Sequence, residues 1–171
     1  RVVLQVRREE LLPGPIGARV QVIDYDAAQG VFLKPVDLDH PAVLMNHGLD
    51  PSESDPRFHQ QMVYAVTMNV IETFEEALGR RLSFRNRPLR LFPHAFQGAN
   101  AYFDPSKNAI FFGYFVADDK NPGKNLPGQT VFTCLSHDVI THEVTHALVH
   151  RLRRKFGDLT NADVGAFHEA F

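Results

Sequence analysis

Apolar side chains recur every four residues through Phe58, Met62, Val66, Val70 and Phe74, with Val63, Ala77 and Leu78 beside them. That spacing gathers them on one face of a helix. Asp55 is placed to cap this helix, Pro56 suits its first turn, and Gly79 is placed to end it. His59 falls off the stripe and reads as a solvated side chain, whereas Met62, Tyr64 and Met68 read as core or core edge. A second helix is predicted from about His137 to Phe156, capped by Ser136, with Asp138 in its first turn and Gly157 as its stop. Beyond a short turn, Thr160 or Asn161 can cap a last helix that continues to the end of the chain.

Runs with strand character occupy the remainder. Val2 to Val6 and Ala18 to Ile23 are rich in β-branched residues, with the breaker Leu12-Pro13-Gly14-Pro15 between them, and Val31-Phe32-Leu33 follows the turn-like Ala27-Ala28-Gln29-Gly30. Two further strands are predicted at Leu89 to Phe92 and Asn100 to Phe103. Asp104 to Asn108 reads as a turn into a run from Ala109 to Phe115, so the last two strands form a hairpin at a sheet edge. Residues 118 to 128, with two Pro and two Gly among polar residues, read as a surface loop. The pattern predicts an α+β fold, with a twisted, mostly antiparallel sheet, the long helix from Pro56, and the helix from His137 lying under a cleft. Residues 1–50 form a β-rich N-terminal segment and 51–171 a helix-bearing lobe, together one continuous domain.

Composition narrows the partners. The 171 residues are 44% hydrophobic and 22% charged, the balance of a globular chain that can bury a core without disulfides. A formal charge of −2 gives no reason to expect nucleic acid, and no apolar run approaches the ~20 residues of a membrane span. The one basic cluster, Arg151, Arg153, Arg154 and Lys155, falls in the last turns of a predicted helix, where it complements the negative end of the helix dipole. The single cysteine, Cys134, lies in the apolar run Val131 to Leu135 and reads as a buried, inert thiol. Both ends read as cut: the chain opens without Met inside a strand pattern, and Phe171 falls inside a helical one.

The chemistry concentrates in His142-Glu143-Val144-Thr145-His146, an H-E-x-x-H sequence. Residues four apart on a helix share a face, so both imidazoles can reach one metal ion, Zn2+ above all. Glu143 adjoins the first ligand and can hold a carboxylate beside an activated water without itself binding the metal, which is the position of a general base. A catalytic zinc takes three protein ligands and keeps a fourth position open. The metzincin continuation would need Gly at position 149 and His at position 152, where this chain has Val149 and Leu152. His150 lies a further turn along the axis, too far to complete a tetrahedron with the first two. After His146 the acidic residues are Asp158, in a turn, Asp163, a dipole partner for the last helix, and Glu169, the best placed of the three to reach across from a second helix.

The stretch Asp138 to Ala147, together with Gly165-Ala166-Phe167-His168-Glu169-Ala170 downstream, resembles the thermolysin-like peptidases, a gluzincin family with a zincin-like fold. The second block matches the family's Gly-Ala-x-x-Glu-Ala stretch, which implies that Glu169 is the third zinc ligand. Asn100-Ala101-Tyr102-Phe103 is similar to the family's edge strand, whose Asn and Ala main-chain groups pair with an extended peptide, so Asn100 and Ala101 are implied as substrate-binding residues. The resemblance covers about residues 90 to 171. It implies a zinc-dependent endopeptidase acting on peptide or protein substrates, present as the ligand-bearing lobe without its C-terminal lobe. Departures are visible. Twenty-two residues separate His146 from Glu169, implying a longer turn between the ligand helices. The family's supporting Asp would fall at position 173, and no Tyr follows Tyr114 to stabilise an oxyanion. Losing such donors costs ~10²-fold or more in rate, so little peptidase activity is expected of this chain alone. Two alternatives stand beside this reading: a gluzincin-like scaffold that binds peptides or proteins around a retained metal site without cleaving them, and a zinc hydrolase acting on another bond.

Overall fold

The computed structural model describes residues 3–84 and 86–153, together with Ala166 and Glu169. Its main sheet has the order β1 (Val20–Val22), β4 (Leu89–Gln97), β6 (Ala109–Val116), β5 (Ala101–Asp104), and β7 (Thr130–Phe132) pairs with the far end of β6. A separate ribbon joins β2 (Tyr25–Asp26) to β3 (Val31–Phe32). The helices are α1 (Pro41–Met45), α2 (Pro56–Leu78) and α3 (His137–Leu152), and a 3-10 turn at Thr133–Leu135 leads into α3.

The α+β expectation holds, while the sheet is mixed rather than mostly antiparallel. β1 pairs with β4 and β4 with β6 in parallel; β5 and β7 run antiparallel to β6. The reason is connectivity. Between β1 and β4 the chain passes through α2, a crossover that returns it in the same direction. After β4 the chain goes to the outer edge as β5, then turns back through residues 104–109 so that β6 fills the place between them. The predicted hairpin is therefore present, with Ala101 opposite Phe112 and Asp104 opposite Ala109. The predicted strand at Val2 to Val6 is not: its described part, residues 3–6, is irregular, and the segment runs along α2, where the Arg7 N–H donates to Glu72 and Glu9 accepts from the Tyr64 hydroxyl at 2.8 Å. Leu4 and Val6 pack against the core there instead of alternating across a ladder.

The long helix forms as its sequence predicts. Asp55 accepts from the Arg57 N–H, Pro56 opens the first turn, and Gly79 closes the helix at φ 64°, a left-handed conformation that favours glycine. Its buried surface is wider than one stripe. His59, expected to be solvated, is 1% exposed, and Gln60, Val63, Tyr64, Val66, Thr67, Met68, Val70 and Ile71 are buried with it. Contacts with α3, β1, β4 and the 3-10 turn enclose this helix on several sides. The sequence signal was an uncharged stretch from Phe58 to Ile71: a helix with one wet face would carry charges there.

Ser136 caps α3 and Asp138 lies in its first turn, as expected. Ile140, Val144 and Leu148 are fully buried at successive four-residue steps, each worth roughly 1.5–3 kcal/mol of burial. The helix ends at Leu152 rather than Phe156. The predicted stop at Gly157 and the caps at Thr160 or Asn161 lie outside the described residues. Arg151 does more than face the helix dipole. Its guanidinium donates to the carbonyls of Ser83 and Arg87 and to Asn108 Oδ1, and it lies 4.3 Å from the Phe84 ring centroid, clamping the end of α3 to the chain before β4. No helix among the described residues is long and apolar enough to cross a membrane.

Candidate metal centre

The apolar anchors of α3 decide which way its polar residues face. With Ile140, Val144 and Leu148 locked into the core, His142 and His146, also four apart, are carried together onto the neighbouring flank. Their Nε2 atoms stand 2.8 Å apart, and the rings meet nearly at right angles (82°). Glu169 Oε2 lies 3.6 Å from His142 Nε2. One ligand atom from each of His142, His146 and Glu169 lies within 4.8 Å of the others. A tetrahedral ion with bonds of ~2.0–2.1 Å separates its ligand atoms by ~3.3 Å, and the observed 2.8 and 3.6 Å bracket that edge. Two imidazole nitrogens and one carboxylate oxygen form a donor set that suits Zn2+. The residues present thus fit the group.

Glu143 is buried, 8% exposed, on the same helix. Burial pushes its carboxyl pKa up, and the Glu169 charge adds to this; His142 and a main-chain hydrogen bond from Phe103 pull the other way, and the net shift is upward. A carboxyl group held above its ordinary range is suited to taking a proton near neutral pH.

The link to Phe103 connects the centre to the sheet. Asn100 accepts the Gly113 N–H through its carbonyl at 2.9 Å, so the main-chain groups of residues 100, 102 and 104 point toward β6. By the same alternation those of Ala101 and Phe103 point the other way, to the open edge of β5, where Phe103 meets Glu143. Ala101 therefore offers main-chain groups to an added strand, whereas the Asn100 carbonyl is committed inside the sheet and only its exposed side chain is free to face a ligand. His150 stays off the cluster, its ring 5.7 Å from that of Phe103. The Phe103 contact had no signal in the sequence, since it depends on a pairing between elements some forty residues apart.

A second group of ligand-type side chains, His59, His94 and Cys134, was also missed, and it lies between α2, β4 and the 3-10 turn. Cys134 is 0% exposed, as expected of a buried thiol, and burial pushes its pKa well up. Comparison with family models, with curated proteins and with solved structures finds no match to this chain.

Proposed function

We propose that this chain carries the ligand-bearing part of a zinc-dependent endopeptidase. The observation that supports it most is the meeting of ligand atoms from His142, His146 and Glu169 within 4.8 Å of one another, beside the buried carboxyl of Glu143. Zinc held by these three residues would supply Lewis-acid activation of a water and polarisation of a carbonyl. The protein's own part is positioning and proton transfer. An extended peptide adds to the open edge of β5, hydrogen-bonded to the main chain of Ala101, which brings a scissile carbonyl over α3. Glu143 takes the proton of the attacking water on its carboxylate and gives it to the departing amine. Its burial raises its proton affinity against the pull of His142 and Phe103, and this favours that exchange.

A non-catalytic peptide-binding scaffold is the second reading. It is favoured by the lack of a tyrosine between His146 and Glu169 that could stabilise an oxyanion, while the Tyr114 hydroxyl donates to both oxygens of Asp26 at 3.0 Å. Against it stands Glu143, since a purely structural metal site has no use for a buried base. The deciding experiment measures zinc content and peptide hydrolysis together, on a chain extended past Phe171. The proposal expects about one zinc at this cluster, lost on His142→Ala, and hydrolysis lost on Glu143→Gln with zinc retained. If the Glu143→Gln variant cleaves as fast as the parent, the assignment of the base fails. A chain that binds peptide and zinc but never cleaves supports the scaffold.

A further inference from the structure

Away from α3, the side chains of His59 and His94 turn toward Cys134 in the interior. The three are 1%, 2% and 0% exposed, and one ring nitrogen of each histidine and the cysteine Sγ lie within 4.8 Å of one another. They come from three different elements: α2, β4 and the 3-10 turn before α3.

Proton accounting shows what this group lacks. His94 Nδ1 lies 2.7 Å from Asp24 Oδ1, and His59 Nε2 lies 3.0 Å from the carbonyl oxygen of Glu53. Both partners are acceptors, so both of those nitrogens carry hydrogens. The remaining nitrogens, His59 Nδ1 and His94 Nε2, face each other at 2.8 Å. In two neutral rings these are two lone pairs in contact, and a cation must stand between them, either one extra proton or a metal ion. The outer partners are themselves fixed. Gln60 donates to Asp24 Oδ2 at 2.7 Å and to the Lys34 carbonyl, and it accepts the Val36 N–H. Imidazoles whose outer N–H groups are held by a carboxylate and a carbonyl are arranged as metal-ligating histidines are.

We propose that His59 Nδ1, His94 Nε2 and the Cys134 thiolate form a second, buried metal site for a borderline transition-metal ion such as Zn2+. Nitrogen and thiolate donors in this combination suit zinc. Charge also balances, because the two positive charges of the ion are matched by the thiolate and by Asp24. A cysteine bound to such an ion is held as the thiolate. Both rings also line a cavity of about 500 Å3, bordered as well by Asp26, Glu53 and Tyr114. Such an ion would tie α2 and β4 to the turn that launches the helix bearing His142, a structural role separate from any hydrolysis.

Cobalt distinguishes the two sites, because only this one contains sulfur. The metal-free chain is titrated with Co2+ while absorption and bound metal are followed. The proposal expects a near-ultraviolet thiolate-to-cobalt charge-transfer band, which saturates at one equivalent per chain in the His142→Ala variant, where this site alone is intact. It is lost on Cys134→Ser and reduced at least tenfold in cobalt affinity on His94→Gln, while His142→Ala keeps it. Should the serine variant fail to fold, X-ray absorption of the zinc-loaded parent decides, with a sulfur neighbour at ~2.3 Å expected. The folded parent showing neither the band nor a sulfur neighbour would overturn the site and leave the two rings sharing a proton opposite Asp24.

Discussion

His142 and His146 present their Nε2 atoms to each other across 2.8 Å, one helical turn apart, with Glu169 Oε2 3.6 Å from the first. At that distance one Nε2–H can donate to the other ring's Nε2, and a bound ion would take the place of that hydrogen. Replacing either ring by a methyl group leaves two donors, too few for a catalytic zinc. His146→Ala is expected to weaken zinc binding at this cluster ~100-fold or more, beyond the 10–100-fold typical of losing only an outer partner. Competition with a chelating dye measures this, and an unchanged affinity would place the ion elsewhere.

Glu143 gives the complementary result. Its carboxyl is buried beside the cluster and is not one of the three convergent ligands. Glu143→Gln preserves shape and removes the proton acceptor, so zinc content stays at the parent level while hydrolysis of a peptide falls by ~10²–10⁴-fold. A variant that lost zinc and activity together would make Glu143 a ligand rather than a base.

Glu75 tests what holds the fold beneath the site. It is 4% exposed near the end of α2, accepts the Leu82 N–H at 2.7 Å, and is paired through Oε1 with Arg19 and through Oε2 with Arg7 at 3.8 Å. Burial raises its pKa, but the Leu82 N–H and the two arginines outweigh it and hold the group below its ordinary 4.5. A carboxyl whose folded-state pKa is depressed contributes stability that is full above 4.5 and lost as pH falls through the lower folded value. Glu75→Gln leaves Arg19, itself mostly buried, without its counter-charge and is expected to cost about 3 kcal/mol at pH 7. The gap between variant and parent then narrows as the pH falls through that lowered value, where the parent carboxyl becomes protonated too. Urea melts at pH 7 and pH 3 check this. A gap that does not change with pH would mean that the pair contributes nothing electrostatic.

What the sequence revealed follows the range of the interactions concerned. Local patterns were legible: the caps at Asp55 and Ser136, the stop at Gly79, the turn after Asp104, and the two histidines one turn apart. Each depends on residues within a few positions of one another. Interactions across the chain were not. The parallel pairing of β4 with β6 follows from the insertion of β6 between β4 and β5, which no window of sequence contains. His59 is buried, against the single-stripe pattern, because the helix that carries it is enclosed on several sides. Its ring partner His94 lies 35 residues further on, and the Asp24 that faces His94 lies 35 residues back. Arg151 likewise gains its role from Ser83 and Arg87, over sixty residues away.

Gly113 links the sheet to the open edge that receives the proposed peptide. It sits in β6, donates its N–H to the Asn100 carbonyl at 2.9 Å, and lies against the chain that bends from β4 into β5. A Cβ added there would meet the Gly98 carbonyl oxygen in hard overlap, the Phe96 ring at 2.7 Å and the Asn100 carbonyl oxygen at 2.8 Å. Two of these obstacles are backbone, which cannot rotate aside, so the chain from Gly98 to Ala101 has to move. Gly113→Ala is therefore expected to cost about 2–3 kcal/mol, the range of an overpacked core, and to lower the melting temperature by roughly 4–12 °C. Gly30 provides the contrast: a Cβ there meets nothing within 4 Å, and only its left-handed φ of 69° opposes a side chain, so Gly30→Ala costs about 1 kcal/mol. Because Asn100 leads directly into Ala101, the first residue of β5, the Gly113 variant is also expected to bind an extended peptide at least threefold more weakly, while zinc binding at His142 and His146 is unchanged. Peptide affinity and zinc content measured on the folded variant at low temperature separate the two effects. Equal loss of both would show that the substitution perturbs α3 as well, and that the edge strand is not independently adjustable.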